Sequence, residues 1–161
     1  MIEKVISFGK LTTLAKNLKK KGQKIVLAGG CFDVLHPGHV IFLENAKKTA
    51  DILMILLESD EKVKQLKGAN RPIHTQRTRA KVLSALQVVD YVVMLPFLKS
   101  EASYDEVIQK IQPDVIAITV GYKRIHHHKK AAKLTGAQLK YVTKRINGYS
   151  TSKILMFQDE N

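Results

Sequence analysis

The chain has few of the features that mark secreted, membrane-embedded or disulfide-rich proteins. Only one of its 161 residues is a cysteine, so no disulfide can form within it, and a reducing compartment is expected. No apolar run approaches the ~18 residues of a membrane span. The opening residues, MIEKVISFGK, lack the apolar core of a secretion signal. These absences together predict a cytoplasmic globular protein.

Acidic residues are also scarce. The chain has 14 Asp and Glu against 27 Lys and Arg, which gives a formal net charge of +13. Such an excess favours anionic partners: nucleotides, sugar phosphates, nucleic acid or acidic membrane surfaces. The basic residues are dispersed, however, and the sequence has no helix-turn-helix signature, aromatic-basic strand motif or paired-cysteine metal finger. We therefore expect small phosphorylated molecules as partners, with no membrane role and with nucleic acid as an unsupported alternative.

Apolar patterning predicts a single α/β domain over residues 1–161. After a lead-in with one helix (1–22), strand and helix patterns alternate. The predicted strands are KIVLAGG, DILMILLES, YVVML, DVIAIT and QLKYVT, and the predicted helices are 38–50, 76–88, SYDEVIQKI, 126–135 and a last one beginning at STSKILMF. This alternation predicts a Rossmann-like fold, a five-stranded parallel sheet with helices on both faces. Ligands of such sheets bind beyond the carboxyl ends of the strands.

The most unusual stretch is GGCFDVLHPGH, residues 29–39. It joins the first predicted strand to a helix, so His36 and His39 stand where free backbone N–H groups and the helix dipole favour an anion. As zinc ligands the two histidines would need a matching Cys or His cluster, which is absent. A phosphate site suits them best. Cys31 in this stretch is expected to be a small buried residue rather than a nucleophile.

Two other clusters fall at predicted strand ends. Lys67 and Arg71 flank Gly68 on what we expect to be a flexible basic loop, and Arg79 starts the next helix; the alternative is a solvated loop. Residues 150–152, Ser-Thr-Ser, open the last helix with three hydroxyls. A helix N-cap alone needs only one hydroxyl, so the triple indicates a second phosphate cradle.

His36-Pro37-Gly38-His39 matches H-x-G-H, and INGYSTSKI is similar to I-S-T-[ST], the two signatures of the cytidylyltransferase-like nucleotidyltransferases. Within that superfamily the chain most resembles the heptose 1-phosphate adenylyltransferase domain of ADP-heptose synthesis. Three stretches carry this likeness: KKKGQKIVLAGGCFDVLHPGHV, SDEKVKQLKGANRP and RTRAKVLSALQVVDYVV.

The resemblance implies roles for particular residues. The catalytic residues would be His36, His39 and Lys67. The nucleotide-binding residues would be Gly30, Cys31, Phe32, Gly38, Gly121, Arg145, Ser150, Thr151 and Ser152. The acceptor-binding residues would be Asp33, Asp60 and Arg79. It also implies Mg²⁺ accompanying ATP or CTP, no metal held by the protein itself, and a homo-oligomer, most often a dimer.

The expected reaction is transfer of AMP from ATP to D-glycero-D-manno-heptose 1-phosphate with release of pyrophosphate. Cytidylyl transfer to glycerol 3-phosphate and adenylyl transfer to FMN use the same chemistry and stay open. A non-catalytic nucleotide-binding module is the alternative from another class. The chain departs from the family after the fourth predicted strand, where an expected acid is missing and TVGYKRIHHHKK follows. We expect His126 to His128 to form an exposed basic helix start rather than a metal site.

Overall fold

A computed structural model describes residues 3–122, 125–144 and 150–156, without the side chains of residues 152 and 153. Its strands are β1 (Val5–Ser7), β2 (Ile25–Gly30), β3 (Ile52–Leu57), β4 (Tyr91–Met94), β5 (Val115–Val120) and β6 (Gln138–Lys144). Its α-helices are α1 (Leu11–Lys20), α2 (Pro37–Lys47), α3 (Asp60–Lys67), α4 (Gln76–Ser84), α5 (Glu101–Ile111), α6 (Ile125–Thr135) and α7 (Thr151–Met156). A single 3₁₀ turn, Phe8–Lys10, leads into α1.

The described strands form one parallel sheet in the order β1-β4-β3-β2-β5-β6. The parallel sheet predicted from the alternating pattern is thus confirmed, but the expected number of five strands is wrong. The sixth strand is β1, which pairs with β4 at the edge of the sheet. Three residues are too few to show an alternating pattern, and β1 is extended because β4 offers it free backbone groups.

Helices cover both faces of the sheet, as predicted. On one face Leu43 and Ala46 of α2 and Leu83 of α4 pack against alternate strand residues such as Leu53 and Ile55. On the other face Leu11 and Leu18 of α1 and Val107 and Ile111 of α5 pack against the intervening residues, including Met54 and Leu56. All six residues of β3 are buried for this reason, which explains its unbroken apolar sequence. Within the described ranges, no helix has the length and apolarity that crossing a membrane requires.

Helix α3 is the second departure from the predicted elements. No element is predicted from the sequence over residues 60–67, yet they form a helix capped by Ser59, whose hydroxyl accepts a hydrogen bond from the backbone N–H of Lys62. Only Val63 of this helix is buried. Val63 and the partly buried Leu66 are the only apolar residues of this segment, which is too few to establish a 3.6-residue pattern. The cap by Ser59 and the burial of Val63 therefore decide its structure.

Candidate active site

A crevice opens at the carboxyl end of the sheet between β2 and β5. The chain runs from β2 outward to β3 and β4, then crosses back to β5 on the other side, so the strand order switches between β2 and β5. Strand β2 pairs with β3 over six residue pairs, but with β5 only at Val26↔Val115 and Leu27↔Ile116. The carboxyl ends of β2 and β5 therefore lie unpaired with each other, where open α/β sheets bind ligands.

His36 and His39 stand at the mouth of this crevice. His36 is the N-cap of α2 and Pro37 is its first residue, a position that suits proline because no backbone N–H is needed there. The carbonyl of His36 accepts a hydrogen bond from the backbone N–H of His39 at 2.9 Å. The two imidazole rings stack with centroids 3.8 Å apart and an interplanar angle of 23°. The structure thus brings the two histidines together at a helix N-terminus.

Both imidazoles are neutral in the free protein at pH 7. Burial lowers the pKa of His39 to about 4, helped by the nearby charges of His36 and Lys67. Burial also lowers the pKa of His36. Nδ1 of His39 is buried and has no hydrogen-bond partner among the described residues, so contacts with the rings of His36 and Phe32 hold its imidazole. An anion beside the pair would favour their protonated forms.

The backbone before the histidines is tightly bent around Phe32. Phe32 has φ of 43°, a left-handed conformation that is strained for a bulky side chain. Its ring is buried, with its centroid 5.2 Å from that of His39. A Cβ on Gly30 would lie 2.9 Å from Cε2 of Phe32. Glycine at position 30 therefore leaves space for the phenylalanine ring. The buried ring of Phe32 in turn packs against the imidazole of His39 and does not face solvent.

Lys67 is exposed, and its charge acts on His39 and Cys31. It is the last residue of α3, which ends at Gly68 with φ of 107°, so the expectation that it lies on a flexible loop is wrong. Its charge lowers the pKa of His39 and opposes the rise that burial causes in the pKa of the Cys31 thiol. The ammonium group is thus close enough to act on both residues. Burial raises the pKa of Cys31, which keeps its thiol protonated.

Asp33 is buried and ties the β2 end to the loop before α4. Its carboxylate accepts hydrogen bonds from Nε of Arg71 at 2.5 Å and from the backbone N–H groups of Ile73 at 2.8 Å and His74 at 3.1 Å. Burial would raise the pKa of Asp33, but these hydrogen bonds outweigh it and lower the pKa. Asp33 is therefore ionised and satisfied by protein partners, and it shapes the loop beside the crevice.

Arg79 is fully buried beneath the site, with its side chain 0 % exposed. Its guanidinium donates to the carbonyls of Cys31, Glu58 and His74 and to Oδ1 of Asp60, at distances of 2.5–3.0 Å. It thereby joins the ends of β2 and β3 to the loop before α4. We expected Arg79 to contact an acceptor, but in this structure the guanidinium has no access to one and acts as a positioning group.

The Ser150-Thr151-Ser152 motif contacts the stretch that contains His36 and His39, although 117 positions separate the two contacting residues. The hydroxyl of Thr151, the first residue of α7, donates to the carbonyl of Val34 at 3.2 Å. Ser150 directly precedes this helix, and its carbonyl accepts from the backbone N–H of Ile154. Gly121 follows β5 on the other side of the crevice and is exposed, with φ of 79°. Arg145 and the side chain of Ser152 lie outside the described residues.

Glu58 is a site residue that the sequence reading missed. It follows β3 directly, and both of its carboxylate oxygens accept from the hydroxyl of Tyr104, at 2.9 and 3.1 Å. Burial raises the pKa of Glu58, although Tyr104, Lys62 and Arg79 oppose that rise. The available signal was the position of an acid at the carboxyl end of a buried strand, whereas Asp33 was predicted from the family resemblance.

The carboxylates near the crevice do not form a ready-made cation site among the described residues. Asp33 is engaged by Arg71, Asp60 by Arg79 and Glu58 by Tyr104. Magnesium in proteins prefers oxygen ligands and keeps several waters, and it often enters with a phosphate substrate. The residues present therefore fit an ion carried by the nucleotide better than an ion held by the protein alone.

One protein-family model matches most of the chain. The family model for cytidylyltransferase-like proteins matches residues 27–157, from β2 through α7. The chain belongs to the cytidylyltransferase-like family. The resemblance expected from the H-x-G-H and S-T-S stretches is thus confirmed. The family match also supports nucleotidyltransferase activity.

Curated relatives of this family member include two bifunctional proteins HldE. That of Wolinella succinogenes is 40% identical over 154 residues, which cover 91% of this chain and 32% of the relative. That of Helicobacter hepaticus is 40% identical over 152 residues, which cover 94% of this chain and 30% of the relative. The chain thus spans about a third of the length of the curated relatives that it matches.

Two solved structures are similar to this cytidylyltransferase-like chain. The lipopolysaccharide core biosynthesis protein from Thermoplasma volcanium is 29% identical with a TM-score of 0.60, over 80% of this chain and 100% of that one. The pantoate-beta-alanine ligase from Francisella tularensis, complexed with beta-gamma ATP and beta-alanine, has a TM-score of 0.65 over 98% and 77% of the two chains. At 13% identity the second likeness shows the fold alone.

Proposed function

We propose that this chain is a nucleotidyltransferase that moves AMP from ATP onto D-glycero-D-manno-heptose 1-phosphate and releases pyrophosphate. The observation that carries the proposal is the stacked pair of His36 and His39 at the start of α2, beside the crevice between β2 and β5. The hydrogen bond from Thr151 to Val34, which brings the second motif against the first, supports it. The family match and the HldE relatives support the same activity.

The chemistry suits a site made of cations and neutral donors. An oxygen of the acceptor phosphate attacks the α-phosphorus of ATP and forms the new P–O bond. The bond from the α-phosphorus to the bridging oxygen breaks, and pyrophosphate leaves with that oxygen. Because the acceptor phosphate is already ionised near neutral pH, no general base is needed, and the protein has to align the two substrates and neutralise charge.

His36, His39 and Lys67 supply that neutralisation in the proposal. Negative charge from the phosphates favours protonation of the two imidazoles, which raises their pKa from the depressed values of the free protein. Their N–H groups then stabilise the charge that develops at the transferred phosphorus. Magnesium bound to the nucleotide would add further charge neutralisation at the triphosphate.

The proposal divides the site into two sides. The nucleotide occupies the crevice between β2 and β5, with Gly121 and Ser150 on its border. The acceptor lies toward the ends of β2 and β3, where Glu58 carries a carboxylate that is only partly buried. A carboxylate at that place suits the hydroxyl groups of a sugar, which donate hydrogen bonds to it.

Glu58→Gln tests this division of the site. A hydrogen bond to a charged group contributes about 1.5–3 kcal/mol, so the KM for the acceptor should rise about 10-fold or more while the KM for ATP stays unchanged. Glu61→Gln is the matched control, because Glu61 is an exposed acid one turn away on α3. Steady-state kinetics with each substrate varied in turn would measure both constants. An unchanged acceptor KM in Glu58→Gln would refute the placement of the acceptor.

Pyrophosphate release with Mg²⁺ tests the function as a whole. ATP and CTP are each combined with heptose 1-phosphate, glycerol 3-phosphate and FMN. Release only with ATP and heptose 1-phosphate is the expected result. Release with CTP and glycerol 3-phosphate, or with ATP and FMN, would replace the proposed substrates and keep the chemistry. Nucleotide binding without release in every combination would favour a non-catalytic module.

The resemblance and the single cysteine also lead us to propose one cytoplasmic domain over residues 1–161 that works as a homodimer. Sedimentation equilibrium of the purified chain tests the dimer, and a monomer at all concentrations would contradict it.

A further inference from the structure

A second group of side chains with potential metal-ligand atoms lies where α5 and α6 begin side by side. Glu101 is the first residue of α5, and His126 and His127 are the second and third residues of α6. One ligand atom from each of the three residues lies within 4.8 Å of the others. Nδ1 of His127 is 3.2 Å from Oε1 of Glu101. None of these residues takes part in the proposed nucleotidyl transfer.

The helices that carry the cluster are fixed relative to each other. Ile108 of α5 and Ile125 of α6 both pack against the small apolar cluster of Ile116, Ile118, Ala131 and Ala132. One turn further along the helices, Nζ of Lys130 lies 2.6 Å from Oδ2 of Asp105. The first turns of α5 and α6 are therefore held together by packing and by an ion pair before any ligand binds.

The donor set is the kind that zinc and similar transition metals prefer. Two imidazole nitrogens and one carboxylate oxygen are borderline ligands, whereas Mg²⁺ and Ca²⁺ select oxygen donors. Tetrahedral zinc with bonds of about 2.0–2.1 Å sets neighbouring ligand atoms roughly 3.4 Å apart. The 3.2 Å distance between His127 and Glu101 already matches this spacing. His126 and Glu101 are exposed, so their side chains are free to adjust.

We propose that Glu101, His126 and His127 bind one zinc ion, or a divalent transition-metal ion of similar preference, with water completing the coordination. The ion links the start of α6 to the start of α5. His128 is not part of this site, because its ring packs edge-on against Tyr122 with centroids 5.1 Å apart. His128 therefore provides a control position for substitutions at His126 and His127.

The charge around the cluster sets a limit on its affinity. Lys129 and Lys130 follow the two histidines on α6, and both repel a divalent cation. Asp105 pairs with Lys130 and offsets one of these charges. Glu101 supplies the only negative ligand of the three, so its contribution to binding exceeds that of a neutral donor.

Calorimetric titration of the whole chain with ZnCl₂, in a buffer that does not chelate, tests the site. One ion per chain should bind, and His127→Ala or the double variant His126→Ala/His127→Ala should weaken binding at least about 10-fold, since even outer-shell partners contribute about 10–100-fold. His128→Ala should leave the affinity unchanged. Far-UV circular dichroism shows that each variant is folded.

Several results would overturn the proposal. The first is no heat of binding in the wild-type chain. The second is undiminished binding in the double variant together with loss in His36→Ala/His39→Ala, which would place the ion at the stacked pair in the crevice. Unchanged affinity in Glu101→Gln would remove the carboxylate from the ligand set. Because no nucleotide or acceptor is present in this titration, its outcome is independent of the proposed transferase activity.

Discussion

Arg79 gives the sharpest test of how the site is built. Its guanidinium makes four hydrogen bonds: two to backbone carbonyls at the carboxyl edge of the sheet, one to the carbonyl of His74 in the loop before α4, and one to Asp60. Arg79→Met keeps much of the length of the side chain and removes every donor. If Arg79 is a positioning residue, this variant loses stability. If Arg79 contacts the acceptor instead, the variant keeps its stability and loses only affinity for the acceptor.

The expected loss of stability follows from these contacts. A net contribution of ~1 kcal/mol for each of four hydrogen bonds gives about 4 kcal/mol. Removing one partner of a buried ion pair typically costs about 3–5 kcal/mol. The side chain of Asp60 is 45% exposed, so water can solvate its carboxylate after the substitution, whereas the carbonyls of Cys31, Glu58 and His74 stay without a charged donor. We expect a decrease of about 3–5 kcal/mol in the free energy of unfolding.

Urea unfolding followed by far-UV circular dichroism measures this change, since the chain contains no tryptophan to report by fluorescence. Arg79→Lys keeps the charge and part of the hydrogen bonding, so it should lose less. Arg77→Met is the matched control, because Arg77 is exposed on the same helix. A decrease below about 1 kcal/mol in Arg79→Met, equal to that of the control, would refute the reasoning and restore the acceptor role.

The remaining predictions concern His39 and its surroundings. His39→Ala should lower turnover by ~10²-fold or more with the fold intact, as loss of a transition-state donor typically does. Val82→Ala, a substitution at an exposed position of α4, is the control and should leave turnover unchanged. Equal turnover in the two variants would contradict the phosphate-binding role of His39. The pKa of His39 is about 4 in the folded chain, below the ordinary histidine value of 6.5. The unfolded chain therefore binds more protons between these values, and the free energy of unfolding should fall as the pH drops from 6.5 to 4. Urea unfolding at a series of pH values should show this slope in the wild-type chain and a flatter one in His39→Ala; identical slopes would argue against the buried neutral imidazole. Gly30→Ala should destabilise the chain by about 1–3 kcal/mol and lower turnover, since its Cβ would lie 2.9 Å from Phe32, whereas Gly29→Ala meets no atom closer than 4.0 Å and should be nearly neutral.

The fold was largely predictable because its elements carry strong local signals. The strand Ile52–Leu57 is apolar at every position, and the helix Leu11–Lys20 has apolar residues at helical spacing before Gly22. The edge strand Val5–Ser7 escaped prediction because three residues cannot show a period. The helix Asp60–Lys67 escaped prediction because it has only two apolar residues, Val63 and Leu66, and only Val63 is buried. Both depend on contacts with distant parts of the chain, which a local pattern does not contain.

The candidate site was predictable in composition but not in geometry. The residues His36, His39 and Thr151 stand out by motif, and the structure sets all three at one end of the sheet. The role of Arg79 did not follow from its sequence position. The sequence pattern of a basic residue in the first turn of a helix is the same whether its side chain is exposed to solvent or buried against the sheet. Burial separates the two cases, and burial depends on what the rest of the chain places above it.

The amino-acid sequence by itself determined the parallel α/β architecture and the two motifs that meet at one end of the sheet, and its charge favours an anionic ligand. It does so because periodicity, turn residues and charge act over a few neighbouring positions. Tertiary structure alone decided that β2 and β5 separate beyond Leu27 and Ile116, that the two imidazoles stack and stay neutral, and that Arg79 supports the site from below. These features arise from desolvation and from hydrogen bonds between residues far apart in the sequence, such as Arg79 and Cys31, which are 48 positions apart. Such contributions exist only once the chain has folded.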